Sequence, residues 1–215
     1  MTLFVFDFDG TLSDSAHFIC DTMHDAFVVH NIVPPTHDAI RNIIGISLEE
    51  AIFKLNSNLS RFDLEKVTQS YRDIFRQKRA DNLMQDTLFD GTIEILDMLK
   101  ASPHLSAIAT GKSLRGLDAE LDRHNIRDYF CAYQTSDTHP SKPHPAMLET
   151  VMMQAGALPA DTIMIGDTSY DMMMAKSAGT TAIGVSWGCH DVDTLKKSGA
   201  DHIITHFSDL KSYIL

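Results

Sequence analysis

The segment Leu3-Phe4-Val5-Phe6-Asp7-Phe8-Asp9-Gly10-Thr11-Leu12 decides how the chain is read. Leu3 to Phe6 is a short apolar run, as expected of a strand buried in a parallel sheet. The run stops at Asp7, and Asp9-Gly10-Thr11 is turn chemistry. Open α/β sheets bind ligands beyond the carboxyl ends of their strands. The residues to watch are therefore those at each strand end.

Working outward, residues 14 to about 82 have helical periodicity. Phe18, Met23 and Phe27 recur at roughly three-to-four spacing, as do Ile40, Ile43 and Ile44, then Leu48, Ile52 and Leu55, then Leu64, Val67, Tyr71, Ile74 and Phe75. Pro34-Pro35 and Asn56-Ser57-Asn58 punctuate this stretch. After Gly91 strands and helices alternate. Strands are predicted over 105–109, 133–135, 162–165, 181–185 and 202–204, with helices over 114–124, 145–155 and 170–178. Such alternation predicts a Rossmann-like α/β fold, a parallel sheet with helices on both faces. Residues 1–13 and 84–215 are expected to form that core, and 14–83 an all-helical insertion.

The 215 residues carry 18 Lys+Arg against 29 Asp+Glu, a formal net charge of −11. With 44% hydrophobic residues there is enough apolar material for a core, which argues against disorder. The acidic balance argues against nucleic acid and anionic membranes as partners. It leaves room for a small anion if the site supplies positive charge. Cys20, Cys131 and Cys189 form no CxxC or zinc pattern and read as buried or partly buried free thiols. No basic n-region or long apolar run is seen, so a cytoplasmic protein without signal peptide or membrane span is expected.

Each strand end delivers polar groups to one rim: Asp7 and Asp9, then Thr110-Gly111-Lys112, then Ser141-Lys142-Pro143, then Gly166-Asp167-Thr168-Ser169-Tyr170-Asp171. Alternate residues of an extended segment point the same way, so Asp7 and Asp9 face one pocket if the chain stays extended. With Asp167 and Asp171 they make a hard, oxygen-only set suited to Mg²⁺. Any one of these acids alone reads equally well as a turn or cap residue. The combination points to a site.

Asp7-Phe8-Asp9-Gly10-Thr11-Leu12, Thr110, Lys142 and Gly166-Asp167 with Asp171 resemble the four ordered motifs of the haloacid dehalogenase superfamily. The long first gap resembles members that carry a helical cap. Gly184-Val185-Ser186-Trp187-Gly188 and Ser198-Gly199-Ala200-Asp201 resemble its phosphoglycolate phosphatase-like branch. The resemblance implies a Mg²⁺-dependent phosphomonoester hydrolase acting on a small phosphorylated metabolite, as monomer or homodimer. It implies Asp7 as nucleophile, forming an aspartyl-phosphate, and Asp9 as general acid and base. It implies Thr110 and Lys142 as holders of phosphate oxygens. The metal set would be Asp7, Asp9 through its backbone carbonyl, Asp167 and Asp171. Gly10, Gly111 and Lys112 would help bind the phosphate, and Arg41 of the cap would meet another anionic group of the substrate.

Two features are decoys or departures. Thr110-Gly111-Lys112-Ser113 carries the tail of a P-loop, but Ser106 stands where that motif needs Gly. The acid at Asp9 separates the chain from haloalkanoate dehalogenases, which the resemblance gives no carboxyl there. In β-phosphoglucomutases a cap-linker His would fall at Ile19, which counts against a mutase; His17 nearby keeps that alternative open. A phosphate-binding protein without catalysis is the other alternative. The histidines show no HExxH spacing.

Overall fold

Every residue of β1 (Leu3–Phe6) is buried, and the strand is paired on both sides, which accounts for its unbroken apolar run. The computed structural model describes residues 1–81, 83 and 86–214. After β1 the chain leaves the sheet for α1 (Ala16–Val28), α2 (His37–Arg41), α3 (Leu48–Leu55) and α4 (Arg61–Ala80). These four helices have an apolar cluster of their own, including Met23, Phe27, Ile40, Ile52 and Val67. Ser60 starts α4 by accepting from the Asp63 amide at 3.1 Å. The expected boundary between 83 and 84 touches Met84, which lies outside the described residues.

The chain then forms α5 (Thr92–Lys100), β2 (Leu105–Thr110), α6 (Leu114–His124), β3 (Ala132–Thr135), α7 (Ala146–Ala155), β4 (Thr162–Gly166) and α8 (Ser169–Ala178). It continues through β5 (Thr181–Val185), α9 (Val192–Lys197), β6 (His202–Ile204) and α10 (Lys211–Ile214). All strand pairs are parallel, in the order β3-β2-β1-β4-β5-β6. The winding reverses between β1 and β4, so the crevice of a doubly wound sheet opens beyond those two strands.

The two-residue period of the strands sorts the core into layers. Phe4, Phe6, Ile108 and Ile165 meet Ile95 and Leu99 of α5 and Leu117 and Leu121 of α6 on one face. Leu3, Val5, Ala107 and Met164 meet Met147 and Val151 of α7 and Met172 of α8 on the other. Helices cover both faces, as the alternation predicts. Three helices escape the sequence reading: α5, the four-residue α10 and α9. The last has six residues, too few to display a period, and begins where Asp191 accepts from the Thr194 amide. Cys20 is buried, but Cys131 is exposed, contrary to the expectation for all three thiols. Among the described residues, no helix is long and apolar enough to cross a membrane.

The outgoing and returning chain segments of the helical unit run side by side. Ser13 and Leu88 form an antiparallel bridge, the Asp14 amide donates to the Thr87 carbonyl at 2.9 Å, and the Phe89 amide donates to the Leu12 carbonyl at 3.0 Å. Beside this seam Arg79, at the end of α4, pairs with the buried Glu120 of α6. Arg123 joins Glu120 to Asp86 at 2.7 and 2.6 Å. Burial alone would raise the Glu120 carboxyl; Lys112, Arg123 and Arg79 outweigh it and hold it below its usual range.

Phe6→Ala empties a fully buried position against both flanking helices. It is expected to cost about 3–5 kcal/mol in urea unfolding, whereas Phe62→Ala, at an exposed position of α4, stays within about 0.5 kcal/mol.

Candidate active site

The crevice beyond β1 and β4 holds three carboxylates and one ammonium, Asp7, Asp167, Asp171 and Lys142, each with 0% exposure. Asp7 follows β1 directly, and its amide still donates to the Ile165 carbonyl of β4. Asp167 follows β4. Asp171 is the third residue of α8, where it completes a reciprocal cap with Thr168. One of its oxygens accepts from the Thr168 hydroxyl at 2.6 Å and amide at 3.1 Å; the other accepts from Lys142 at 2.7 Å. A local helix-starting device thus fixes a site residue.

Lys142 Nζ lies 2.9 Å from Asp7 Oδ1 and 2.7 Å from Asp171 Oδ1. Burial alone would lower the Lys142 ammonium; Asp171 and Asp7 outweigh it, so the group is held charged. Burial pushes the Asp7 carboxyl well up, Lys142 opposes this, and Asp171 and Asp167 add to it. Burial and then Asp171 push Asp167 up to about 6, against the Cys189 amide and the Thr11 hydroxyl, which donate to it at 2.8 and 2.9 Å. Asp7 Oδ1 also accepts from the Phe8 amide at 2.7 Å, while Oδ2 is buried without any partner.

Ligand oxygens of Asp7, Asp167 and Asp171 lie within 4.8 Å of one another. Three carboxylates and one ammonium leave a formal −2 in a site closed to solvent, and an orphaned oxygen faces it. A hard divalent cation balances that charge, and the all-oxygen donor set fits one.

Asp9 departs from the expectation for its side chain. The strand stops at Phe6, and the carboxylate turns to Lys112, at 2.7 and 2.9 Å, and to the Ser15 hydroxyl at 2.6 Å. It does not join the three acids of the crevice. Gly10 has φ +79° and lies against Asp167; a Cβ there would stand 2.2 Å from Oδ2. Thr110 is buried at the end of β2, its hydroxyl accepting from the Lys112 amide at 3.3 Å. At Gly111 a Cβ would meet the carbonyls of Gly45 and Ile46 at 2.5 and 2.6 Å. The α2–α3 connection therefore rests on this rim. The Ser47 amide donates to Ser141 Oγ at 2.8 Å, and Tyr170 Oη donates to the Asn42 carbonyl at 3.2 Å. Arg41 donates to the Gly188 carbonyl at 3.3 Å, which ties the helical unit to the loop that caps Asp167. His17 is exposed and pairs with Asp21.

Sequence reasoning put Thr11 and Thr168 at the strand ends without assigning them a role and missed Ser15; the signal for all three is a hydroxyl residue within a few positions of an acid. It also missed the Cys189 amide, which no local signal marks because tertiary folding brings it to the rim. Gly45-Ile46-Ser47, which resembles the substrate-specificity region of such helical caps, does lie at the rim, against Gly111.

The family description "Haloacid dehalogenase-like hydrolase" matches residues 4–185. The chain is 36% identical over 218 residues to a protein named "Probable phosphatase IndB" from Dickeya dadantii, covering 97% of this chain and 91% of that one. It is 26% identical to the "Phosphoglycolate phosphatase" of Agrobacterium fabrum, covering 97% and 90%. A solved structure described as a putative haloacid dehalogenase-like hydrolase from Bacteroides fragilis superposes with a TM-score of 0.88 at 28% identity, covering 97% of this chain and 99% of that one.

Lys142→Met removes the ammonium between Asp7 and Asp171. It is expected to destabilise the protein by about 3–5 kcal/mol, because buried charges lose their partner. The folded state then binds more protons than the unfolded chain between the ordinary carboxylate range near pH 4 and at least pH 6, so stability falls as pH rises through that window. Calorimetric melting should show a larger deficit at pH 8 than at pH 5.

Proposed function

The chain belongs to the haloacid dehalogenase-like hydrolases, and from that premise we propose that it is a Mg²⁺-dependent phosphomonoesterase working through an aspartyl-phosphate. The observation that carries this reading is Asp7: one oxygen is tethered to Lys142 and the Phe8 amide, and the other is buried and unpartnered. A carboxylate with one fixed and one free oxygen is oriented for attack, and carboxylates serve as nucleophiles in phosphoryl transfer.

In this reading the free oxygen of Asp7 bonds to phosphorus as the bond to the leaving oxygen breaks. Asp9 gives its proton to that oxygen, then takes a proton from the water that splits the acyl phosphate. The Lys112 pair on Asp9 is the resting arrangement. An arriving phosphate supplies a competing anion that draws this ammonium off and frees the Asp9 carboxyl to face the leaving oxygen. Lys142 and Thr110 hold phosphate oxygens, and the backbone at Gly10 and Gly111 allows close approach. Asp7 and Asp167, with Asp171 beside them and the Asp9 carbonyl, would hold Mg²⁺, which supplies charge neutralisation for the phosphoryl group.

The helical unit 14–83 is proposed as the cap that shields this chemistry from water, with Arg41 serving its seating on the core. The acidic chain is proposed to work in the cytoplasm on a low-molecular-weight phosphate ester, for which the phosphoglycolate phosphatase likeness is one support. The exposed, Asp21-paired His17 lends no support to a mutase.

Asp7→Asn is expected to lower p-nitrophenyl phosphate turnover by on the order of a thousandfold or more, and Asp9→Asn by about 10²–10⁴. EDTA should abolish phosphate release and Mg²⁺ restore it. Undiminished turnover by a folded Asp7→Asn protein would overturn the assignment.

A further inference from the structure

A cleft of about 970 Å³ lies between the helical unit and the sheet domain, and Asp9 forms part of its wall. That is the side on which, in the reading above, the leaving alcohol departs. The volume stands near the upper end of the range for small-molecule pockets. A two-carbon phospho-acid would leave most of it empty.

The cleft also gathers cations within an acidic protein, five of them against the three acids Asp9, Glu49 and Asp137 on its lining. Arg72, Arg76 and Arg79 line it from one face of α4, at the i, i+4 and i+7 positions of that helix. Lys112 and Arg115 line the opposite, sheet-side wall. These five cations come from a total of 18 in a chain of net charge −11. Between them lie apolar groups, among them Ile44, Ile46 and Phe75.

The cations differ in how firmly they are held. Arg79 is committed to the buried Glu120. Arg72 faces Glu49 at 3.8 Å and Arg76 pairs with Asp73, and in both pairs the side chains are about half exposed or more. Exposed ion pairs are weak and exchange readily for a better anion. Guanidinium groups favour phosphate and carboxylate through paired donors. Among the described residues, Arg115 has no ion-pair partner within 4.0 Å.

We infer that the substrate is a phosphate monoester of a large, partly apolar alcohol that carries a second anionic group, read by Arg72 and Arg76 with Arg115 opposite. This deepens the phosphomonoesterase reading and rests on it. The apolar lining takes the body of the alcohol, and Asp9 marks the end at which the ester is cleaved.

The test compares kcat/KM for matched pairs: adenosine 5′-monophosphate against adenosine 3′,5′-bisphosphate, and fructose 1-phosphate against fructose 1,6-bisphosphate, with phosphoglycolate alongside. Products are identified by chromatography. In at least one pair the doubly anionic member should be preferred tenfold or more and should exceed phosphoglycolate. In Arg72→Ala/Arg76→Ala that preference should fall below threefold, chiefly through KM, and Arg72→Lys/Arg76→Lys should recover part of it. Both variants lie on an exposed helix face, and their melting curves report folding. The inference is overturned if phosphoglycolate is the fastest substrate, if neither pair shows a preference, or if the Ala variant keeps it. Absence of Asp7-dependent release from p-nitrophenyl phosphate would instead defeat the phosphomonoesterase reading itself.

Discussion

The arrangement depends on one ammonium group placed where water cannot reach it. Three carboxylates brought together without solvent repel one another, and a chain that assembles them must supply compensation. Lys142 supplies part of it, bonded at once to Asp7 and Asp171. Its position requires that the loop after β3 come back to the switch point between β1 and β4, and that α8 begin where Thr168 and Asp171 cap each other. The strand order and this ion cluster are two descriptions of the same constraint. Burial raises the Asp7 and Asp167 carboxyls and the neighbouring carboxylates add to it, while the −2 that remains accounts for the fit of a divalent cation.

The fold was largely legible because the sheet is buried on both faces. Leu3–Phe6, Ala107–Ala109 and Ile163–Ile165 announce themselves as apolar runs of β1, β2 and β4, and each is followed by a site residue, Asp7, Thr110 or Asp167. The site was legible to the extent that its residues are acids or a lysine at those ends. Two things were not. The direction of a side chain after a strand stops depends on the turn, so Asp9 was expected beside Asp7 and instead meets Lys112. Groups that serve through the backbone, such as the Cys189 amide and the Gly188 carbonyl, carry no residue-type signature. Gly45 reaches the rim through a tertiary contact that residue spacing does not announce; the resemblance of Gly45-Ile46-Ser47 to a cap specificity region is its signal.

The overall charge acquires a local meaning. The chain is acidic overall, while the cleft that Asp9 lines gathers Arg72, Arg76, Arg79 and Arg115 on its walls. The firm Arg79–Glu120 link and the loose Arg72 and Arg76 pairs divide labour within a single helix, one anchoring it and the others left available.

The seam where Ser13 meets Leu88 has a mechanical consequence. A body joined to another by two adjacent, mutually bonded strands has few ways to move. Sliding would break the Asp14–Thr87 and Leu12–Phe89 bonds together, whereas twisting about the pair strains neither much. Rotation about this pair of segments is thus the motion that the seam itself opposes least. The same closeness of the two ends lets the chain leave the sheet and rejoin it at one place.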